Sequence, residues 1–233
     1  MRTIISALGA FLAFVSAQAV QAATLFDSSS IGNPVSVDFT GQVNGAAATQ
    51  LSALLTLNLA SISADGRSYT FNYSLTNDSS VASRIRSFGF DVDGGLLTGA
   101  SATGAYPNRR LGDHFPEAIG NRDVCFHAAG NGQSDCTGGP NGLTQGQTGN
   151  GSFTLNFSSM RPAPGSIYLD LFVVRFQSIS PGLNGGGTSG VGIGNVVPPP
   201  VPEPATWLMM ILGFFSFGII LRQRAASPDA LTA

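Results

Sequence analysis

The chain predicts an all-β fold, an antiparallel β-sandwich or jelly roll, and three observations carry that expectation. Apolar side chains alternate with small polar ones in several short runs. Turn-forming pairs such as Asp65-Gly66, Asn77-Asp78 and Asp93-Gly94-Gly95 stand between the runs. No stretch between residues 23 and 180 repeats its apolar positions at the helical period.

Taken in order, Val35 to Phe39, Leu55 to Leu59 and Tyr69 to Thr76 are expected as half-buried strands, because every second side chain is large and apolar and the intervening ones are Ser, Thr, Asn or Asp. Ile85 to Val92 follows the pattern more loosely. Arg84 and Arg86, two residues apart, are expected to share its solvated face. Phe153 to Phe157 repeats the clean alternation. Ile167 to Phe176 is apolar on both faces apart from Asp170 and Arg175, as a central strand covered on each side would be. Leu57, Phe71, Tyr73, Phe90, Leu155 and Phe172 are the expected core.

Between Thr98 and Gly151 the alternation fails, and Gly, Asn and three prolines take over. A structureless loop of that length inside a compact domain is unusual unless something pins it. Cys125 and Cys136, the only cysteines, lie within it. A disulfide between them is the expected pin, closing a loop of 12 residues worth about 2 to 3 kcal/mol. A metal pair with His127, or a reactive free thiol, is the alternative.

Beyond Phe176 a Gly-rich stretch and then a Pro-rich one read as a linker over residues 181 to 200, flexible first and semi-rigid after. The β domain is therefore expected to span residues 23 to 180 and to fold without the linker and the C-terminal segment. That body carries no Lys, and over residues 23 to 196 its eight arginines face eleven carboxylates, which offers no electrostatic footprint for nucleic acid.

The two ends read as export signals. Arg2, the apolar stretch from Ile4 to Val15 and the small residues Ala17, Ala19 and Ala22 form the three zones of a secretory signal peptide over residues 1 to 22, with cleavage expected after Ala22. At the other end, Ala205 to Leu221 has 17 uncharged residues, enough for roughly 25 Å of helix, near the lower limit for crossing a bilayer. Arg222 and Arg224 come next and hold residues 225 to 233 in the cytoplasm; Trp207 sits near the opposite interface. Pro202 and Pro204 keep the chain before the span extended, so that Pro202-Glu203-Pro204 lies accessible to an enzyme.

The arrangement Pro202-Glu203-Pro204, Trp207, apolar helix, Arg222 and Arg224 resembles the PEP-CTERM sorting signal of Gram-negative bacteria. The resemblance covers Val201 to Arg224, with Leu208 standing where one common variant has Ala. It implies processing by exosortase, a membrane-embedded cysteine protease, and an association with exopolysaccharide and biofilm. Cys125-Phe126 with Cys136-Thr137-Gly138-Gly139 is similar to the cysteine pair of some members. Signal peptidase, the export machinery and the inner membrane are the other expected partners, and extracellular polysaccharide a further one. The expected location is periplasmic and transiently membrane-anchored, then the cell surface or matrix.

Asp91, Asp93, Asp113, Glu117 and Asp123 are enough acids to permit glycoside hydrolysis, but spacing in sequence places no two of them across a site. His114 and His127 permit a Ser-His-Asp arrangement, although the body has no Gly-x-Ser-x-Gly elbow. Asp91-Val92-Asp93-Gly94-Gly95 starts like a calcium loop, yet Gly95 stands at the third ligand position and Ala102 at the twelfth residue of the loop, where a bidentate Glu is needed. Arg109, Arg110, His114 and Phe115 offer guanidinium forks and an aromatic face to a carbohydrate, with capping of an ordered loop their plainer role. The expectation is a noncatalytic structural or adhesive surface protein without a cofactor. The alternative is a secreted carbohydrate-binding protein or polysaccharide-acting enzyme that uses the same sorting route.

Overall fold

The computed structural model describes residues 23–93, 97–117, 119–130, 136–158, 165–198, 209–216 and 222. The expected signal peptide, residues 1 to 22, lies outside them. Two units are separable, Met1–Val196 and Val197–Ala233.

The first unit is all-β. Its strands are β1 (Thr24–Phe26), β2 (Pro34–Val43), β3 (Ala46–Ile62), β4 (Ser68–Asn77), β5 (Ala82–Val92), β6 (Leu97–Ala102), β7 (Asn108–Phe115), β8 (Gly120–His127), β9 (Leu143–Thr144), β10 (Thr148–Phe157), β11 (Ile167–Ser180) and β12 (Gly190–Val196). A 3-10 turn, Ser28–Ser30, comes after β1 and is capped by the Asp27 carboxylate.

All the ladders are antiparallel, but they do not form two separate sheets. One path runs β6-β10-β4-β3-β2-β12-β11-β5-β8-β7, with β1 added to β11 and β9 to β5. The path folds on itself, so that β10 and β4 face β5 and β8 through an aromatic interior. Phe153 on β10 packs on Phe126 of β8 with ring centroids 4.7 Å apart and on Phe90 of β5 at 5.6 Å; Tyr73 of β4 lies 5.3 Å from Phe88 of β5. The end strands β6 and β7 also approach one another, and Arg109 Nε of β7 donates to the Ala100 carbonyl of β6. Layered like a sandwich, the sheet is nearly closed like a barrel.

The expected core is the observed one: Leu57, Phe71, Tyr73, Phe90, Leu155 and Phe172 are all buried. Asn77, expected in a turn, is also buried and ties that turn to its neighbours. Its amide nitrogen donates to the carbonyls of Ser83 and Leu143, and its oxygen accepts from Ser79 N.

Residues 98 to 151 depart from the expected loop. They hold β6, β7, β8, β9 and the start of β10. The alternation is missing on β7 because it ends the path: Arg109, Arg110, Leu111, Gly112 and His114 are all exposed, so no buried face selects apolar residues at every second position.

The expected linker over 181 to 200 is corrected as well. Residues 190 to 196 form β12, which pairs with β11 on one side and β2 on the other. Its glycines are a packing requirement. A Cβ on Gly192 would sit 2.6 Å from Val174 Cγ2 and 2.9 Å from Phe176 Cε2, and one on Gly194 would sit 2.7 to 2.8 Å from Val37, Phe172 and Phe39. Bare backbone is what fits beneath these side chains. The β domain therefore extends to Val196, not to residue 180.

A chain ending at Pro181 lacks β12 and leaves β2 and β11 with unpaired inner edges. We expect it to lose the cooperative melt monitored by circular dichroism, whereas a chain ending at Val197 keeps it. A cooperative, sheet-rich melt from the shorter chain would contradict this topology.

Candidate functional site

Cys125 lies on β8 and Cys136 in the connection from β8 to β9, and the two are joined in a buried disulfide. With Phe115, Val173 and Val191 they form a second apolar cluster, on the outer side of the sheet formed by β8, β5, β11 and β12. This half of the sheet is thus buried on both faces. Polar groups fasten the cover: Ser87 Oγ donates to Cys136 O at 2.6 Å, Gln177 Nε2 to Thr137 O at 2.8 Å, and Arg175 Nε to the same carbonyl at 3.2 Å. Asp113 Oδ2 accepts from Cys136 N at 2.8 Å.

Arg86 lies at the centre of this cover and not on the expected solvated face, for it is completely buried. The period of two breaks here: Ser87 pairs with Arg175 and Ile85 with Phe176, which leaves Arg86 as the extra residue of a β-bulge. Its guanidinium reaches Gly138 O through Nε at 2.6 Å and Ala128 O through Nη1 at 2.5 Å, and Nη2 lies 3.5 Å from His127 Nδ1. A Cβ on Gly139 would fall 2.6 Å from Arg86 Cζ. The glycines after Cys136 let the backbone lie directly over the cation. Burial also pulls the Arg175 pKa below its ordinary value, with Glu117 acting in the opposite direction.

The disulfide resolves the alternatives at the cysteines. Asp113 and the two sulfur atoms all lie within 4.8 Å of one another, but with the sulfurs bonded to each other neither thiolate is free to hold a metal. His127 turns its Nδ1 to Arg86 and the Ala128 carbonyl instead. His114, near the other end of the β7–β8 hairpin, has its Nδ1 3.3 Å from Asn121 Oδ1.

The sequence-predicted acids separate into two groups. Asp113 is held at the disulfide, and Glu117 accepts from Gly45 N at 2.7 Å. Asp91, Asp93 and Asp123 converge where β5, β8 and β11 meet, and Asp170, directly opposite Asp91 in the ladder, joins them. Asp123 N donates to Asp91 Oδ1 at 3.0 Å and Val92 N to Asp123 Oδ2 at 2.9 Å, so each carboxylate of this pair extends the β5–β8 pairing past its last ladder rung. Asp93 Oδ1 accepts from Tyr168 N, and Arg122 Nη1 lies 3.9 Å from Asp91 Oδ2. Burial raises the Asp91 and Asp170 carboxyls above the ordinary aspartate value. Arg122 lowers both, and the neighbouring carboxylates raise them further.

Asp170 is legible in the sequence only as an interruption in an apolar strand. Its placement opposite Asp91 needs the register, and the bulge that breaks the β11–β5 register between Asp170 and Val173 is not visible in composition. Leu171, inside that bulge, has a φ of 46°.

Of the sorting residues, Pro202, Glu203, Pro204, Trp207 and Arg224 lie outside the described residues. Arg222 is helical and exposed. Residues 209 to 216 are helical with exposed apolar side chains, Met209 at 72% and Phe214 at 74%. Among the described residues no helix is long and apolar enough to cross a membrane.

Replacing both cysteines by Ala should lower the stability of the β domain by about 2 to 3 kcal/mol, the chain-entropy value for this loop, read from the free energy of denaturant unfolding. An unchanged unfolding free energy would contradict it. Because the Asp170 pKa is raised in the folded state, its ionisation opposes folding at neutral pH, and stability is recovered as pH falls through the raised value. Asp170→Asn should therefore raise the melting temperature at pH 7 and give no gain below about 3.8, where the carboxyl is neutral in both states. A variant melting at or below the parent temperature at pH 7 would overturn the sign.

Comparison with protein-family models, with curated proteins and with solved structures found no match to this chain.

Proposed function

We propose that the protein is an exported surface or matrix component, sorted through its C-terminal segment and contributing to the extracellular layer by structure or adhesion, without catalysis. The observation that carries this reading is the helical segment over residues 209 to 216. Met209, Met210, Ile211, Leu212, Phe214 and Phe215 are exposed around it, a surface suited to lipid and costly in water. Ser216 Oγ donates to Leu212 O at 2.8 Å, satisfying its hydroxyl within the helix as an apolar medium demands. Pro202-Glu203-Pro204 and Trp207 precede this segment and Arg222 and Arg224 come after it, in the order of the PEP-CTERM signal. In this reading an exosortase-type protease removes the span after export.

The buried disulfide is consistent with an oxidising compartment. A noncatalytic role for the β domain is supported by the use made of its acids, since Asp91, Asp93, Asp113, Glu117 and Asp123 all accept backbone N–H groups. Mass spectrometry of both termini, in native cells with and without the protease, tests the proposal. Mature protein starting near Ala23 and a C-terminus shortened only when the protease is present are expected. Identical C-termini in the two strains would rule out sorting by this route.

A further inference from the structure

The half of the sheet that the disulfide segment does not cover presents a nearly uncharged, ordered array of hydrogen-bonding side chains. Every outward position of β4 and β10 is Ser, Thr or Asn. Neighbouring side chains are joined across the strands: Thr70 to Thr154 at 3.0 Å, Thr76 to Thr148 at 2.8 Å, and Ser68 to Asn156 at 2.8 Å. The array continues just past the end of β6, where Thr103 meets Ser152 at 2.9 Å, and onto β3 and β2, where Thr56 lies 3.5 Å from Ser36. Asp38, on β2, is the one charge among these outward positions. Ordinary protein surfaces are about 25 to 35% charged.

We propose that this face binds a neutral polysaccharide, a substrate class that deepens the matrix role and rests on it. A hydroxyl has one donor and two acceptor sites, so each paired Ser or Thr keeps capacity for a ligand, and the Asn amides add donors. The β-branched Thr side chains are stiff and already fixed by their partners, so little entropy is lost when a ligand binds. The face lacks the arginines an acidic polymer would need, and the excess of carboxylates over arginines in the domain repels such a polymer. Twist decides between a chain and a crystalline surface such as ice. Adjacent strands rotate by about 20 to 25°, so the sheet turns through roughly 60 to 75° from β10 to β2. A flat lattice cannot match that turn; a flexible polymer can. With no aromatic side chain for stacking at the outward positions of β4 and β10, affinity comes from many weak contacts along one polymer.

The test is affinity electrophoresis of the detergent-solubilised full chain through native gels containing dextran, a mixed-linkage β-glucan, galactomannan or polygalacturonate. At least one neutral polymer should retard the protein, and polygalacturonate should not. The isosteric pair Asn72→Asp and Asn150→Asp, at exposed positions of β4 and β10, should weaken retardation about tenfold, as expected for two lost donors, without changing the melting temperature. Asn121→Asp, at an exposed position of β8 in the other half of the sheet, should not weaken it. Retardation by polygalacturonate alone, by no polymer, or equally in parent and paired variant would overturn the proposal. So would loss of a dimer in the paired variant, which would give the face to a second copy of the chain. Correct terminal processing together with absent retardation would remove the polysaccharide site and leave the sorting route standing.

Discussion

The ring of Phe153 is the contact on which the rest of the sheet depends. It stacks on Phe71 and Phe126 and lies within 6.3 Å of Tyr73, Phe88 and Phe90, so strands from both halves of the sheet meet at one side chain. An open ten-strand sheet would leave that apolar surface in water. Folding the sheet over buries it from both sides, and the close approach this demands leaves room only for glycine beneath Phe39, Phe172 and Phe176.

The two halves then meet solvent in opposite ways. One carries a second apolar cluster, a disulfide and two buried arginines on its outer side. Neither arginine is held by carboxylates alone; backbone carbonyls accept from both, and these carbonyls would otherwise be costly to bury. The other half has no such cover among the described residues, and its outward side chains bond to one another.

Much of this is legible in the sequence, and the parts that are not have a common cause. Tyr69 to Thr76 and Phe153 to Phe157 alternate because one face is in the core and the other in water, and a period of two records that difference directly. β7 faces solvent on most of its side chains, so it leaves no periodic trace. β12 does alternate, as Gly-Val-Gly-Ile-Gly, but its inward residues are the smallest instead of the largest, and a search for large apolar positions passes over it. Arg86 leaves its expected face through a bulge, which shifts the period without any mark in composition. At the site, the disulfide partners are legible as the only two cysteines, set in a long segment that needs a pin. The meeting of Asp170 with Asp91 depends on register, which only the folded strands supply.

The position of β12 also sets an order in time. It lies between β2, near the start of the domain, and β11, near its end. A chain delivered N-terminus first, whether from a ribosome or through a translocation channel, can form the hairpins of β2, β3 and β4 early. It cannot join them to β11 and β5 until residue 196 has emerged. Until then the aromatic interior has only one wall. Closure of the sheet coincides with arrival of the last strand, immediately ahead of Pro202-Glu203-Pro204. A pause at the apolar stretch that follows, Ala205 to Leu221, would hold the domain where its final strand has just become available.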